Sequence, residues 1–183
     1  ILKAKPNLKK ELSEAAILKA KNEDFEIAEE IFEALRGLDP EDMAIVLNTA
    51  IFFDQRADSY RKSGLLEDAD AYDNDAEYYY KQAMDAEPPL PDAYFNAGFF
   101  YLKQKNFSKG KDCFELYLAY VVDAKDEDLG ANGIYKKERA AEIIRDIDNR
   151  NLDGEVRVAN GHLFDLPAET FGDYSSPFEV RFG

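Results

Sequence analysis

The sequence predicts an all-α fold of consecutive helical hairpins, closed by one further helix and followed by a short β-prone or extended tail. Three observations carry that prediction. A small residue precedes an aromatic by four in separate segments, Ala28-x3-Phe32 and Gly110-x3-Phe114, proline or glycine stands where a hairpin should stop or turn, and apolar residues follow helical spacing through the first 150 positions.

The first hairpin is read over residues 9–42. Leu12, Ala15 and Ala16 line its first helix, and "NEDFEIAEEIFEALRGLDP" supplies Phe25, Ala28, Phe32 and Leu35 before Pro40 ends the second. The third hairpin, residues 91–124, carries Tyr94, Ala97, Gly98 and Tyr101, then Phe107, Gly110 and Phe114. Val122 stands where the first hairpin has its proline, so the second helix is expected to run past Tyr120.

The middle hairpin, residues 43–90, is longer than a 34-residue repeat by 14 residues, or two heptads. One heptad added to each of two paired helices keeps their facing stripes in register. Val46, Ala50, Phe53, Ala57, Tyr60 and Gly64 recur at spacings of four and three, with Gly64 as the turn. On the second helix Ala69, Ala76 and Ala83 lie seven apart, as do Leu65, Tyr72, Tyr79 and Ala86. The added heptads are expected to carry the far end about 10 Å past its neighbours. In the triplet Tyr78-Tyr79-Tyr80, successive side chains point roughly 100° apart. Tyr79 is therefore assigned to the partner helix, Tyr80 to the contact between repeats, and Tyr78 to solvent.

Residues 123–133, "DAKDEDLGANG", read as a polar loop. From about 133 to 151 a helix follows with Ile134, Ala141, Ile144 and Ile147 near one face, a capping role that completes residues 1–151 as one repeat domain. In the tail, 152–183, Val156 and Val158 lead to Asn160-Gly161 and Leu163, Phe164 and Leu166 follow, a hairpin pattern. Phe178, Val180 and Phe182 repeat the alternation.

The Ala28-x3-Phe32 segment, the Tyr94-x2-Ala97-Gly98-x2-Tyr101 segment and Pro40 together resemble the tetratricopeptide repeat. The resemblance implies a right-handed superhelix of three repeats, the middle one elongated, acting as a non-catalytic scaffold or adaptor. It implies a concave groove lined by the first helix of each repeat: Lys10, Ser13, Ile17 and Ala20; Ala44, Leu47, Asn48, Ile51, Asp54 and Gln55; Asp92, Phe95, Asn96, Phe99, Leu102 and Lys103. A subclass of the family clamps an acidic C-terminus with cations in this groove. Asn48 matches its asparagine, but Ser13, Ile17, Asp92 and Asn96 replace the lysines, arginine and second asparagine, which argues against that clamp. The groove is instead apolar, with Asn48 and Asn96 able to bond a backbone, and suits a helical or extended apolar segment. The chain's own tail or capping helix is an equal candidate to fill it. Carriage of a small hydrophobic ligand, enclosed by the helices and tail, is the alternative.

Composition narrows the remaining classes. A net charge of -15 repels nucleic acid and anionic membrane surfaces. Its distribution, +4 over residues 1–22 and -14 over 23–88, lets the basic end and acidic middle attract each other across a homo-oligomer or on a partner protein. One cysteine, Cys113, on a helical pattern beside Phe114, reads as a small buried hydrophobe; with a single histidine, His162, most hydrolase and metal constellations cannot be built, and no cofactor or metal is expected. The acids Asp68, Asp70, Asp73 and Asp75 lack the glycine of a calcium loop and read as a solvated helix face. Asn106-Phe107-Ser108 fits a glycosylation pattern, but Phe107 falls on a core position. No run reaches the length of a membrane span. The chain opens at Ile1 without a methionine, so an upstream segment is expected. The protein is expected to be soluble, in the cytoplasm or, if a signal has been removed, in the periplasm.

Overall fold

The structure, a computed structural model, describes residues 5–152, which hold seven helices and no strand. The two β-patterned stretches at 156–166 and 178–182 lie outside the described residues. The helices fall into two compact units that divide between Leu90 and Pro91.

The first unit contains α1 (Lys5–Lys21), α2 (Phe25–Leu38), α3 (Met43–Lys62) and α4 (Leu66–Met84). Its centre is α3, whose residues from Ile45 to Asp54 are all buried, the signature of a helix covered on every side. Asp42 starts α3 by accepting hydrogen bonds from the backbone N–H groups of Ala44 and Ile45. Buried Ala28, Phe32 and Leu35 form the inner stripe of α2. Phe32 lies 5.2 Å from Phe52, Arg36 reaches Thr49 and Arg56 reaches Glu29, so α2 and α3 run antiparallel. Lys9 of α1 bridges Asp39 and Asp42 at 3.0 and 2.6 Å, tying α1 to the link between α2 and α3.

The middle hairpin is built of longer helices: α3 and α4 have 20 and 19 residues, against 17 and 14 in α1 and α2 and 13 in α5 (Pro91–Lys103). Their pairing is antiparallel and heptad-spaced. Phe53 stacks on Tyr72 and Tyr79 at 6.0 and 5.7 Å, Tyr60 stacks on Tyr72 at 5.1 Å, and Ala69, Ala76 and Ala83 are wholly buried between them. Leu65 departs from its expected row: it is the residue capping α4 and stands 48% exposed at the tip. The tyrosine triplet divides as its angles require. Tyr79 packs on Phe53, Tyr80 is wholly buried, and Tyr78 is exposed and set edge-on to Tyr79. The Tyr80 hydroxyl donates to Asp54 of α3 at 3.0 Å, a contact the spacing did not reveal.

The second unit contains α5, α6 (Phe107–Val121) and α7 (Asp126–Leu152). Helix α6 passes Tyr120 by one residue. A polar loop was expected over 123–133, yet helix begins at Asp126 and is interrupted at Gly130, whose φ of 70° is open to glycine at little cost. The inner stripe of α7 is Ala140, Ile143 and Ile147; Ile147 is buried as expected and Ile144 packs beside it, while Ala140 and Ile143 take the inner positions and Ile134 and Ala141 are half-buried.

One turn recurs in all three hairpins. Glu23, Gly64 and Lys105, equally spaced along the chain, take left-handed φ values of 62°, 79° and 62°. The following residues, Asp24, Leu65 and Asn106, donate N–H to Lys19, Tyr60 and Tyr101 carbonyls at 2.8, 2.9 and 2.9 Å, closing the preceding helix. Their own carbonyls accept from small residues one turn on, Ala28, Ala69 and Gly110. An aromatic follows four residues after the small one in the outer hairpins, Phe32 and Phe114. In the middle hairpin the small residue recurs at Ala76 before Tyr80 does the same. In α4 the small residue of the turn and the small residue before the aromatic are thus separate, one heptad apart at Ala69 and Ala76.

Candidate functional site

The residues assigned to a groove lie on α1, α3 and α5, and each unit treats its share differently. In the first unit Ser13, Ile17 and Ala20 of α1 and Leu47, Asn48, Ile51 and Asp54 of α3 are buried, while Ala44 and Gln55 are half-buried at either end of the α3 stripe. Asp54 is a buried carboxylate that accepts the Tyr80 hydroxyl, and burial holds the Tyr80 pKa well above its ordinary value, with the Asp54 charge adding to the effect. Asn48 is 3% exposed, and its Oδ1 has no hydrogen-bond donor within reach. A buried amide oxygen without a donor costs about 1–3 kcal/mol, so the arrangement calls for one.

In the second unit the α5 share is already occupied. Phe95, Phe99 and Leu102 join Phe114, Tyr117 and Val121 of α6 and Ala140, Ile143 and Ile147 of α7 in one core. Phe95 contacts Phe99, Phe114 and Tyr117 with ring centroids 5.1, 5.8 and 5.1 Å apart, and Phe99 meets Phe114 at 5.0 Å. Lys136 of α7 fixes the helix in place by reaching Asp92 at 3.2 Å while lying 5.7 Å from the Phe95 ring centre. Asn96 is half-buried and donates one N–H from Nδ2 to the Asp92 carbonyl of its own helix at 2.8 Å. The capping helix, one of the two occupants anticipated from the sequence, therefore covers the α5 residues.

The close packing of this unit rests on glycine. A Cβ on Gly98 would stand 2.7 Å from the Phe114 ring, and one on Gly110 would stand 2.8 Å from Leu102 Cδ2. Cys113 is buried beside this contact, and desolvation pushes its thiol up to about 12, which keeps it protonated and unreactive at neutral pH.

A second feature, not anticipated from the sequence, lies where α3 rises past the start of α2. A cleft of about 310 Å³ is lined by Glu23, Asp24, Phe25, Glu26 and Ile27 from the α1–α2 turn and by Arg56 and Tyr60 of α3. Arg56 is 5% exposed, pairs with Glu29 at 2.7 Å and lies 4.3 Å from the Tyr72 ring centre. Burial opposes its charge, but Tyr60 and Glu29 outweigh burial and hold the guanidinium above its ordinary pKa. The sequence signal for the cleft was the elongation itself, since a longer hairpin beside a shorter one must leave a step.

No group of three or more His, Cys, Asp or Glu side chains among the described residues is placed to hold a metal ion. No helix among them is long and apolar enough to cross a membrane. No family model, curated protein or solved structure matches the chain.

Proposed function

We propose that this chain is a non-catalytic interaction scaffold of tetratricopeptide type. In this reading it has three repeats with an elongated middle one, follows the right-handed superhelical pattern of that family, and is capped by α7. It holds a helical or extended apolar segment of another protein along α1 and α3, beside Ile17, Leu47, Asn48, Ile51 and Asp54. The α5 residues Phe95, Asn96, Phe99 and Leu102 take no direct part, because α7 is packed on that side.

The observation that carries the reading is the apolar α3 stripe of Leu47 and Ile51, closed over along its length but half-buried at its two ends, Ala44 and Gln55, where a segment can enter. The equally spaced turns and the glycine contacts support the repeat assignment. The charged cleft between α2 and α3 lends nothing to a carrier of lipid-like molecules, since its rim is carboxylate.

Site-specific photocrosslinking tests the proposal. A benzophenone side chain at Ala44 or Gln55 is expected to crosslink one and the same partner peptide in cells. Equal yields from the outward-facing positions Glu33 and Glu115, or no peptide in common between Ala44 and Gln55, would overturn it.

A further inference from the structure

The paired heptads that lengthen α3 and α4 place their excess at one end. Arg56 lies beside Phe25, the first residue of α2, so residues 57–62 continue about 9 Å beyond it at ~1.5 Å per residue. The cleft sits on the resulting step, its floor Phe25, Tyr60 and Arg56 and its rim Glu23, Asp24 and Glu26. We propose that this step is a docking site for a lysine- or arginine-bearing segment of another protein, a contact separate from the α1–α3 stripe.

Charge decides the sign of the ligand. Arg56 is the cation of the cleft, and its charge is balanced by Glu29. Asp24 has Lys19 at 3.9 Å, a loose pair across an exposed surface. Glu23 and Glu26 have no cationic partner among the described residues. Anions are therefore repelled and a cation is drawn in. The apolar surfaces of Phe25, Ile27 and Tyr60 suit the methylene stem of such a side chain, leaving its charged head at the carboxylates.

The apolar lining of the cleft, Phe25, Ile27 and Tyr60, points to a side chain with a methylene stem rather than a free ion. The rim is also held in place. Glu23 and Asp24 belong to the left-handed turn, whose N–H groups reach Ala20 and Lys19 carbonyls at 3.1 and 2.8 Å, so little ordering of backbone accompanies binding.

The test uses the isotopically labelled full chain and the probe acetyl-Leu-Lys-Leu-amide, with its norleucine counterpart as control. At about 0.15 M salt, where screening acts over ~8 Å, the lysine probe is expected to shift the amide signals of Phe25, Ile27 and Tyr60. Glu23→Gln with Glu26→Gln is expected to weaken that binding about fivefold and leave the helical signal by circular dichroism unchanged. Equal binding of the norleucine probe, or equal affinity in the double variant, overturns the proposal. So does concentration-dependent self-association that the double variant abolishes, since the occupant is then the basic end of a second copy. Crosslinking from Ala44 is expected to survive the double variant, so failure of the step site and failure of the stripe are read separately.

Discussion

Replacing Gly98 by alanine tests the packing of the second unit at one methyl group. The added carbon would lie 2.7 Å from Phe114 Cε2 and Cζ and 2.9 Å from Cε1, against about 3.5–4.0 Å for carbons in contact. The ring cannot swing aside freely, because it is wholly buried and set edge-on to Phe95 and Phe99. Overpacking of this kind costs about 1–3 kcal/mol, while alanine in a helix interior returns roughly 0.8–1.0 kcal/mol over glycine, leaving a net loss of about 1 kcal/mol. Gly37 of α2 provides the reference, since a Cβ there meets nothing within 4 Å. Gly37→Ala therefore shows the propensity gain alone, and the same chemical change moves stability in opposite directions at the two positions. Urea unfolding followed by circular dichroism reads the midpoints, and hydrogen exchange over α5 and α6 assigns the loss to that unit. In the Gly98→Ala background Phe114→Leu should cost less than it does alone, with a coupling of about 0.5–3 kcal/mol. Equal effects of the two alanines, or no coupling to Phe114, would refute the steric argument.

Three other outcomes rest on buried or paired groups. Tyr80→Phe removes the donor to Asp54 and is expected to cost about 1.5–3 kcal/mol in urea unfolding. Because burial raises the Tyr80 pKa in the folded chain, its contribution is whole below about pH 10 and is lost as pH rises from there; the Tyr80→Phe variant should show a shallower alkaline decline. At pH 8 Cys113 should react with a thiol reagent at least about 100-fold more slowly in the native chain than in urea, as its burial and its value of about 12 require. Lys9→Met should cost no more than about 1 kcal/mol at low salt, because the lysine is partly exposed, and the difference should shrink in ~1 M salt.

The helices were legible in the sequence because their stripes are dense and punctuated. Ala69, Ala76 and Ala83 fall seven apart against an aromatic row, and that pattern fits paired helices and little else. Reading faces was harder. Tyr80 lies on a core position by spacing, but its bond to Asp54 depends on the register of two helices, which periodicity does not contain. Phe95 and Phe99 carry the residue types of an apolar groove and of a core equally well, and only the path of α7 separates the two. Glu23 and Lys105 gave no turn signal at all, since left-handed backbone is expected of glycine or asparagine; the hydrogen bonds that close the helices hold a glutamate and a lysine there instead.

One heptad more in each of two paired helices is compatible with unchanged packing against the shorter neighbours. Inserting seven residues rotates the downstream turns by about 20° relative to an ideal helix, so the original contacts of α3 with α2 and of α4 with α3 survive nearly unturned. The new turns must then bury their own stripe, since α2 ends short of them. They do so with Tyr60 against Tyr72, with Ala57 wholly buried, and with Arg61 paired to Asp73 across the hairpin. Arg56 stands at the boundary between the shared stretch and the free one, reaching Glu29 on one side and Tyr72 on the other. An extension by five or nine residues, which rotates a helix by roughly 140° or 180°, would have turned the downstream contacts off the shared face. A difference of whole heptads between neighbouring helices is thus compatible with shared packing, and the step beside α2 is its consequence.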